Sequence, residues 1–249
     1  MNANDFKNAL EFCEKNGLFL GEGSPTAKIL FVGKEAGWNK DIMGNPDEIK
    51  TEKDLLQREE PSVRYNLDCL KKGNEYLENF RADALKSWPN SPTWRNYERL
   101  VKEISGKDFG KYHFLEHCFM TELSQIPLPN SDFLKEKGLD DSIRIASVEK
   151  RKELFRQPFF RNFPIVIMAC GHYPREVKFD IEKTFNVEWT PETRVVSPQN
   201  YYNLHYGKIL DGKDKILIHT RQVSMGVTND LLSEIARECK KYYSADADL

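Results

Sequence analysis

Several features that would assign this chain of 249 residues to a particular class of protein are missing from it. None of its five cysteines belongs to a Cys-x-x-Cys pair, so there is no local signature of a structural zinc or iron–sulfur site. The sequence also lacks an HExxH metal motif, a GxGxxG fingerprint and the Gly-Lys-Ser/Thr ending of a P-loop. It has no run of about 18 apolar residues, which a transmembrane helix requires. We therefore expect no metal, no cofactor and no membrane partner.

An excess of charge of one sign is absent as well. Lys and Arg together number 37, Asp and Glu together number 39, and the formal net charge is −2. Many nucleic-acid-binding domains are strongly basic, although a local basic strip is enough to bind nucleic acid. The odd number of cysteines and the absence of a secretory leader predict reduced thiols in a cytoplasmic protein. The sequence does not indicate an oligomeric state.

Short, wholly apolar segments alternate with helical patterns along the chain. Such strands are typical of a parallel sheet that helices cover on both faces. We therefore predict an α/β fold in three layers, α/β/α, with a mostly parallel central sheet and a single domain over residues 1–249. The predicted strands are residues 28–33, 117–123, 164–171, 193–198 and 215–220.

Two segments are expected to depart from this alternation. Residues around 40–90 are charged and helical in pattern, which predicts a helical insertion that breaks at Pro61. Residues 125–130, "QIPLPN", are expected to be irregular because they contain two prolines.

Polar side chains follow the predicted strands, at the sheet edge where ligands bind in such folds. Glu35 lies between Gly33 and Gly37 directly after the first strand. We expect these glycines to form a tight turn that lets a ligand approach the backbone and leaves Glu35 facing a cleft. The other candidate binding residues at strand ends are Trp38, Glu122, His219, Arg221 and Ser224.

The order of these elements resembles that of the uracil-DNA glycosylase superfamily. Residues 33–37, "GKEAG", resemble its first-strand motif, and residues 219–224, "HTRQVS", resemble its late motif, which begins with a histidine. The stretches "MTELSQIPLP" and "FPIVIMACG" are similar to its second and third strands. The resemblance implies a uracil-DNA glycosylase-like fold and hydrolysis of the N-glycosidic bond of a damaged or modified base in DNA, after the base has left the stack.

The resemblance also implies catalytic roles for Glu35 and His219. Glu35 would stabilise the sugar cation and orient water, as carboxylates do in glycoside hydrolysis. His219 would donate a hydrogen bond to the departing base. The alternatives are a solvated glutamate in a loop and a strand-end histidine whose hydrogen bond goes to the backbone.

The sequence departs from the family pattern at several of these positions. Ala36 replaces the usual proline, Glu122 stands where a base-reading asparagine would be, and Thr220 and Arg221 replace Pro-Ser. An ionised Glu122 only accepts hydrogen bonds, so it would suit a base edge with two donors or a ribose diol. Otherwise it is a surface residue or an arginine partner. Trp38 would either stack on a base or cover the core.

Two classes of function follow from these observations. The first is a DNA glycosylase-like hydrolase whose partner is DNA with a damaged or modified base. The second is a non-catalytic protein of the same fold that binds a nucleobase-like small molecule or a nucleic acid. The sequence does not name the base, and it does not distinguish DNA, RNA and free nucleosides.

Overall fold

The structure is a computed structural model. It describes residues 3–73, 77–79, 81–82, 85, 91–130 and 132–243. Within these residues, one sheet of seven strands runs through the protein. Its strands are β1 (Glu22–Gly23), β2 (Ile29–Gly37), β3 (Cys118–Leu128), β4 (Ile165–Ala169), β5 (Val187–Ser197), β6 (Asn200–Lys208) and β7 (Asp214–Thr220).

The sheet is mixed, with a parallel centre and antiparallel margins. The strand order is β1-β3-β2-β4-β7-β6-β5. Strands β3, β2, β4 and β7 are parallel, which confirms the α/β class and the predicted parallel strands. Every residue of the central strand β4 is apolar and buried. The three-layer arrangement and the likeness to uracil-DNA glycosylases stay predictions.

The far margin of the sheet is an antiparallel hairpin that the sequence patterns predicted only in part. Residues 193–197 of the strand predicted at 193–198 form the second half of β5, and β6 was not predicted at all. β6 pairs with β7, and β5 pairs with β6. The connection from β5 to β6 therefore lies beside the carboxyl end of β7.

The helices connect the strands and pack against the sheet. Their bounds are α1 (Ala3–Asn16), α2 (Lys40–Met43), α3 (Glu52–Leu70), α4 (Pro92–Ser105), α5 (Phe133–Glu136), α6 (Ser142–Phe155), α7 (Pro158–Arg161), α8 (Tyr173–Glu176), α9 (Ile181–Phe185) and α10 (Asn229–Tyr243), with 3-10 turns at Pro46–Glu48 and His113–Glu116. Helix α4 begins after the capping residue Ser91 and ends at Gly106, as its sequence predicts. No helix in the described ranges is long and apolar enough to cross a bilayer.

Three local predictions about prolines and glycines are wrong. Helix α3 continues through Pro61 because buried residues on both sides of the proline hold it to the core. Strand β3 continues through Pro127 and pairs with the end of β2. The predicted turn at residues 33–37 is instead the last part of β2, with an irregularity in its pairing between Glu35 and Gly37. Parts of the predicted insertion at 40–90 lie outside the described residues.

Candidate functional site

A cavity of about 440 Å³ lies beside the carboxyl ends of the first parallel strands. The residues around it come from β1, β2, β3 and β4 of the sheet and from α2, α3 and the start of α4. Four carboxyl groups line it within the described chain, those of Glu22, Glu35, Asp41 and Glu122. Four aromatic side chains line it as well, those of Phe19, Tyr65, Trp94 and Tyr97. A volume of this size is typical of small-molecule sites, which span roughly 300–1,000 Å³.

Glu122 is held directly over the backbone of β2. It pairs in register with Gly33, and a Cβ atom placed on Gly33 would lie 1.9 Å from its Oε2 atom. Only glycine at position 33 leaves room for this carboxyl group. Burial raises the pKa of Glu122 well above its usual range, and the neighbouring Glu22 and Glu35 raise it further. The surroundings therefore favour the neutral, protonated form of Glu122.

Glu22 is a second acid of the cavity, and sequence reasoning missed it. It lies on the short strand β1, which is antiparallel to β3, between Gly21 and Gly23. A Cβ atom on either glycine would lie 2.3 Å from a carbonyl oxygen of β3, so β1 can approach β3 only because both are glycines. Burial raises the pKa of Glu22 to about 8. The signal was the sequence "GEG", which places a carboxyl group between two glycines as "GKEAG" does.

Two buried side chains fix the backbone around these acids. Arg151 of α6 is fully buried and donates from Nε to the carbonyl of Glu122 at 3.1 Å and from Nη2 to Oγ1 of Thr121 at 2.8 Å. Burial lowers the pKa of Arg151 to about 10, which leaves the guanidinium charged at neutral pH. Asn66 of α3 donates to the carbonyl of Gly21 at 2.7 Å. The positions of Glu22 and Glu122 thus depend on two different helices.

Glu35 lies in a different, cationic environment. Its side chain is 9% exposed, and its oxygens lie 3.9 Å from Nζ of Lys34 and 3.9 Å from Nε of Arg144. The ring of Tyr173 lies beside both cations, 5.1 Å from the Lys34 ammonium and 6.0 Å from the Arg144 guanidinium carbon. In the register of β2 and β3, Glu35 is two residues beyond Gly33, so it projects to the same face as Gly33 and Glu122.

His219 does not share this face of the sheet. It is in register with Met168 of β4, which is in register with Val32 of β2. Because successive residues of a strand alternate between faces, His219 projects to the side opposite Gly33. Its Nε2 atom donates to the carbonyl of Gly171 at 2.7 Å, and burial lowers its pKa. This is the backbone-bonded histidine named above as the alternative.

Arg221 and Ser224 organise the loop after β7. The guanidinium of Arg221 donates to the carbonyl oxygens of Gln199, Met225 and Gly226 at 3.1–3.2 Å. The carbonyl of Ser224 accepts a hydrogen bond of 3.1 Å from the side chain of Asn96. Along the described stretches, the cavity lining includes neither residue, nor His219. Of the predicted site residues, the structure brings together Gly33, Glu35, Gly37 and Glu122.

Trp38 covers a small core beside the cavity and does not line it in the described chain. Its Nε1 atom donates to the carbonyl of Gly44 at 2.9 Å, and its ring lies 6.4 Å from that of Phe133. The aromatic wall comes instead from Phe19, Tyr65, Trp94 and Tyr97, and the sequence pattern places the last two on the apolar face of helix α4. Tyr97 stacks on a core phenylalanine of β2 with ring centroids 4.2 Å apart, so its ring is rigidly placed.

The described residues contain no group of three or more His, Cys, Asp or Glu side chains that could hold a metal ion. No family model, no curated protein and no solved structure matches the chain. The chemistry of the cavity is therefore what indicates a function.

Proposed function

We propose that the cavity binds a nucleobase and that the protein hydrolyses the N-glycosidic bond of a damaged or modified base in DNA. The observation that carries this proposal is the presence of two carboxyl groups in unlike environments within one cavity. Glu122 lies among other acids and is desolvated, whereas Glu35 lies between two cations. Such a division of environments is what assigns acid and base roles to paired carboxyl groups in hydrolases.

Glu122 is the candidate for reading the base. A neutral carboxyl group offers one hydrogen-bond donor and one acceptor side by side. That pair is complementary to an amide or amidine edge, on which a nucleobase presents an acceptor next to a donor. The raised pKa of Glu122 therefore changes the interpretation based on an ionised carboxylate, which required an edge with two donors. A buried donor and acceptor of this kind discriminate strongly between bases, because a base with the wrong edge leaves both without hydrogen bonds.

Glu35 is the candidate for the sugar. Breaking an N-glycosidic bond leaves positive charge on the sugar, and a carboxylate beside it stabilises that charge and orients the attacking water. The ion pairs with Lys34 and Arg144 fix the orientation of the Glu35 side chain before a ligand arrives. A preorganised group spends no free energy on reorientation during the reaction.

The aromatic side chains support the same assignment. A base that leaves the stack must find a surface on which to stack again, and each such contact contributes about 1–3 kcal/mol. Tyr65, Trp94 and Tyr97 offer such surfaces within the lining of the cavity. The resemblance of residues 33–37 to the first motif of uracil-DNA glycosylases, and the three-layer fold that it implies, belong to this proposal.

A second candidate function is binding without catalysis. The position of His219 favours it, since the group expected to stabilise an anionic leaving base projects to the other face of the sheet. In this alternative the protein recognises a modified base or nucleoside in the cavity and leaves its glycosidic bond intact.

A cleavage assay separates these functions. DNA duplexes with uracil, hypoxanthine, xanthine or alkylated bases are incubated with the protein, and abasic sites are counted, with binding of the same duplexes measured in parallel. We expect cleavage of at least one duplex, and we expect Glu35→Gln to abolish it without loss of binding. Glu188→Gln, an exposed change on β5, is the matched control. Binding without cleavage would establish the alternative, and neither binding nor cleavage would overturn both functions.

A further inference from the structure

We propose that the base which the cavity accepts is a cation, of the class of N-alkylated purines such as N7-alkylguanine or N3-alkyladenine. This inference rests on the proposed function and adds the chemical class of its substrate. It follows from three observations: the balance of the charged groups in the cavity, its aromatic walls, and the position of His219 outside the lining that the structure describes.

The charged groups of the described lining are mostly acids. Glu22, Glu35, Glu122 and Asp41 face one cation, Lys34, which is already 3.9 Å from Glu35. Within the described chain, no side-chain hydrogen bond or ion pair engages the carboxyl groups of Glu22 or Glu122. A cation placed between them would draw both into their ionised forms. The ionised Glu122 would then accept hydrogen bonds from two donors, such as N1–H and the amino group of N7-alkylguanine, whereas the neutral form would offer one donor and one acceptor. Charges attract one another more strongly in such a poorly hydrated space than in water.

The aromatic walls suit a cation as well as a flat ring. A positive charge over the face of an aromatic side chain is attracted by its electron density, and tryptophan offers the strongest attraction. Trp94 and Tyr97 both line the cavity that holds Glu122. A positively charged purine stacked on one of these rings would be bound by stacking and also by the attraction between its charge and the ring. A neutral base would be bound by stacking alone.

The chemistry of the leaving group accounts for the position of His219. When the bond between C1′ and N9 of an N7-alkylated purine breaks, its electron pair moves to N9 and neutralises the positive charge of the ring. The oxygen of water forms the new bond to C1′, and the water proton passes to the carboxylate of Glu35. The base leaves as a neutral molecule, so no hydrogen-bond donor is required to stabilise an anion. A site for such a base needs no histidine at the base.

The test compares two ligands of the same shape and different charge. Binding of 7-methylguanosine and of 7-deaza-7-methylguanosine, which carries the methyl group on a neutral ring, is measured with Glu35→Gln protein in mildly acidic buffer. We expect the cation to bind at least about tenfold more tightly, a difference of about 1.4 kcal/mol. With Glu122→Gln added, the preference should fall to less than about threefold. With Glu188→Gln added instead, it should remain.

Cleavage assays on the wild-type protein show whether the base comes from DNA or from a free nucleoside. One arm uses a duplex with a single N7-methylguanine, and the other uses 7-methylguanosine. Release of methylguanine in either arm, in excess over release from the same substrate incubated with Glu35→Gln protein, supports the inference. Equal or preferred binding of the neutral isostere, or cleavage of neutral bases alone, overturns it while the proposed function stands. If no nucleobase ligand binds at all, the proposed function fails and this inference fails with it.

Discussion

The carboxyl group of Glu122 occupies the space in which a side chain at position 33 would begin. A Cβ atom on Gly33 would lie 1.9 Å from Oε2 and 2.7 Å from the carboxyl carbon of Glu122. The glycine of the "GKEAG" motif is therefore required by an acid on the neighbouring strand, and no turn is involved. It couples the sequence of β2 to the position of Glu122, the proposed base-reading group on β3.

We expect Gly33→Ala to weaken ligand binding by at least about tenfold, since a collision with the flexible end of Glu122 forces its side chain into another rotamer. Because the strand can otherwise remain as it is, the protein should still fold. The measurements are the dissociation constant of the ligand that the cleavage assay identifies and the thermal unfolding midpoint. Gly37→Ala controls for strand stability, since a Cβ atom there meets nothing within 4 Å. Unchanged binding by Gly33→Ala would remove Glu122 from the site.

His219→Ala is expected to affect stability more than catalysis. The substitution removes the hydrogen bond from Nε2 to the carbonyl of Gly171, and such a bond contributes about 0.5–1.5 kcal/mol to stability. Cleavage by the folded protein should stay within about threefold of the wild-type rate. A loss of about 10²–10³ in rate would instead identify His219 as a donor to the leaving base. His172→Ala, an exposed histidine near the same strand end, is the control.

Arg151→Lys is expected to destabilise the protein and weaken the site together. The arginine donates to the carbonyl of Glu122 and to Thr121 through separate nitrogens, and one ammonium group cannot span both acceptors. Leaving buried polar groups without hydrogen bonds costs about 1–3 kcal/mol each. Urea unfolding should show this loss, and Arg156→Lys, a half-buried change just after α6, should stay within about 0.5 kcal/mol of wild type. Equal stability of the two variants would contradict this role for Arg151.

The strand framework was predictable because each central strand contains a run of apolar residues. Ile165–Ala169 is buried along its whole length, which is the pattern of a strand covered on both faces. Strand β6 escaped prediction because its sequence, "NYYNLHYGK", mixes amides, a histidine and tyrosines, and it forms through its pairing with β5 and β7. Helix α3 shows the same dependence on tertiary contacts at Pro61.

The candidate site was predictable in position and not in composition. Strand ends correctly indicated the edge of the sheet where Glu35 and Glu122 line one cavity. The position of a residue at a strand end does not predict the face of the sheet to which its side chain projects. A shift of one residue in register moves the side chain to the other face. His219 is such a case. Glu22 was missed because its strand has two residues and is held only by contacts with β3 and Asn66.

Binding of a cationic ligand is expected to release a proton. Burial raises the pKa of Glu22 to about 8, so its carboxyl group is mostly protonated at neutral pH. A bound cation favours the ionised form and lowers this pKa, which expels the proton. Affinity for 7-methylguanosine should therefore rise with pH across the mildly acidic range, in which the ligand keeps its N1 proton and positive charge and Glu22 of the free protein is protonated. Calorimetry in buffers of different ionisation enthalpy counts the protons released.

The controls for proton release are a neutral ligand and a variant that cannot titrate. The neutral isostere 7-deaza-7-methylguanosine should bind with no release, and Glu22→Gln should reduce the release that accompanies the cation. Proton uptake, or the same release with both ligands, would contradict ionisation of these acids on binding. Either result would leave the hydrogen-bonding role of Glu122 intact.

Lys215 makes stability depend on pH at the opposite end of the sheet from the cavity. It is fully buried near the start of β7, and its Nζ atom donates to the carbonyls of Arg161 at 3.1 Å and Phe185 at 3.4 Å. Burial, with a smaller contribution from the Arg161 charge, lowers its pKa to about 7. In the unfolded chain a lysine has a pKa of about 10.4. Between these values the unfolded chain binds more protons than the folded protein does.

The free energy of unfolding should therefore rise with pH from about 7 to about 10, by up to about 1.4 kcal/mol per pH unit, and fall again as the pH is lowered toward 7. Lys215→Met removes the titrating group, so its free energy of unfolding should lack this rise. Urea unfolding at several pH values across this range gives the free energy of unfolding of both proteins. Subtracting one from the other cancels the titration of the groups that they share. Lys208→Met, at an exposed lysine of β6, should keep the wild-type slope. A difference between wild type and Lys215→Met that stays constant with pH would show that Lys215 remains charged in the folded protein.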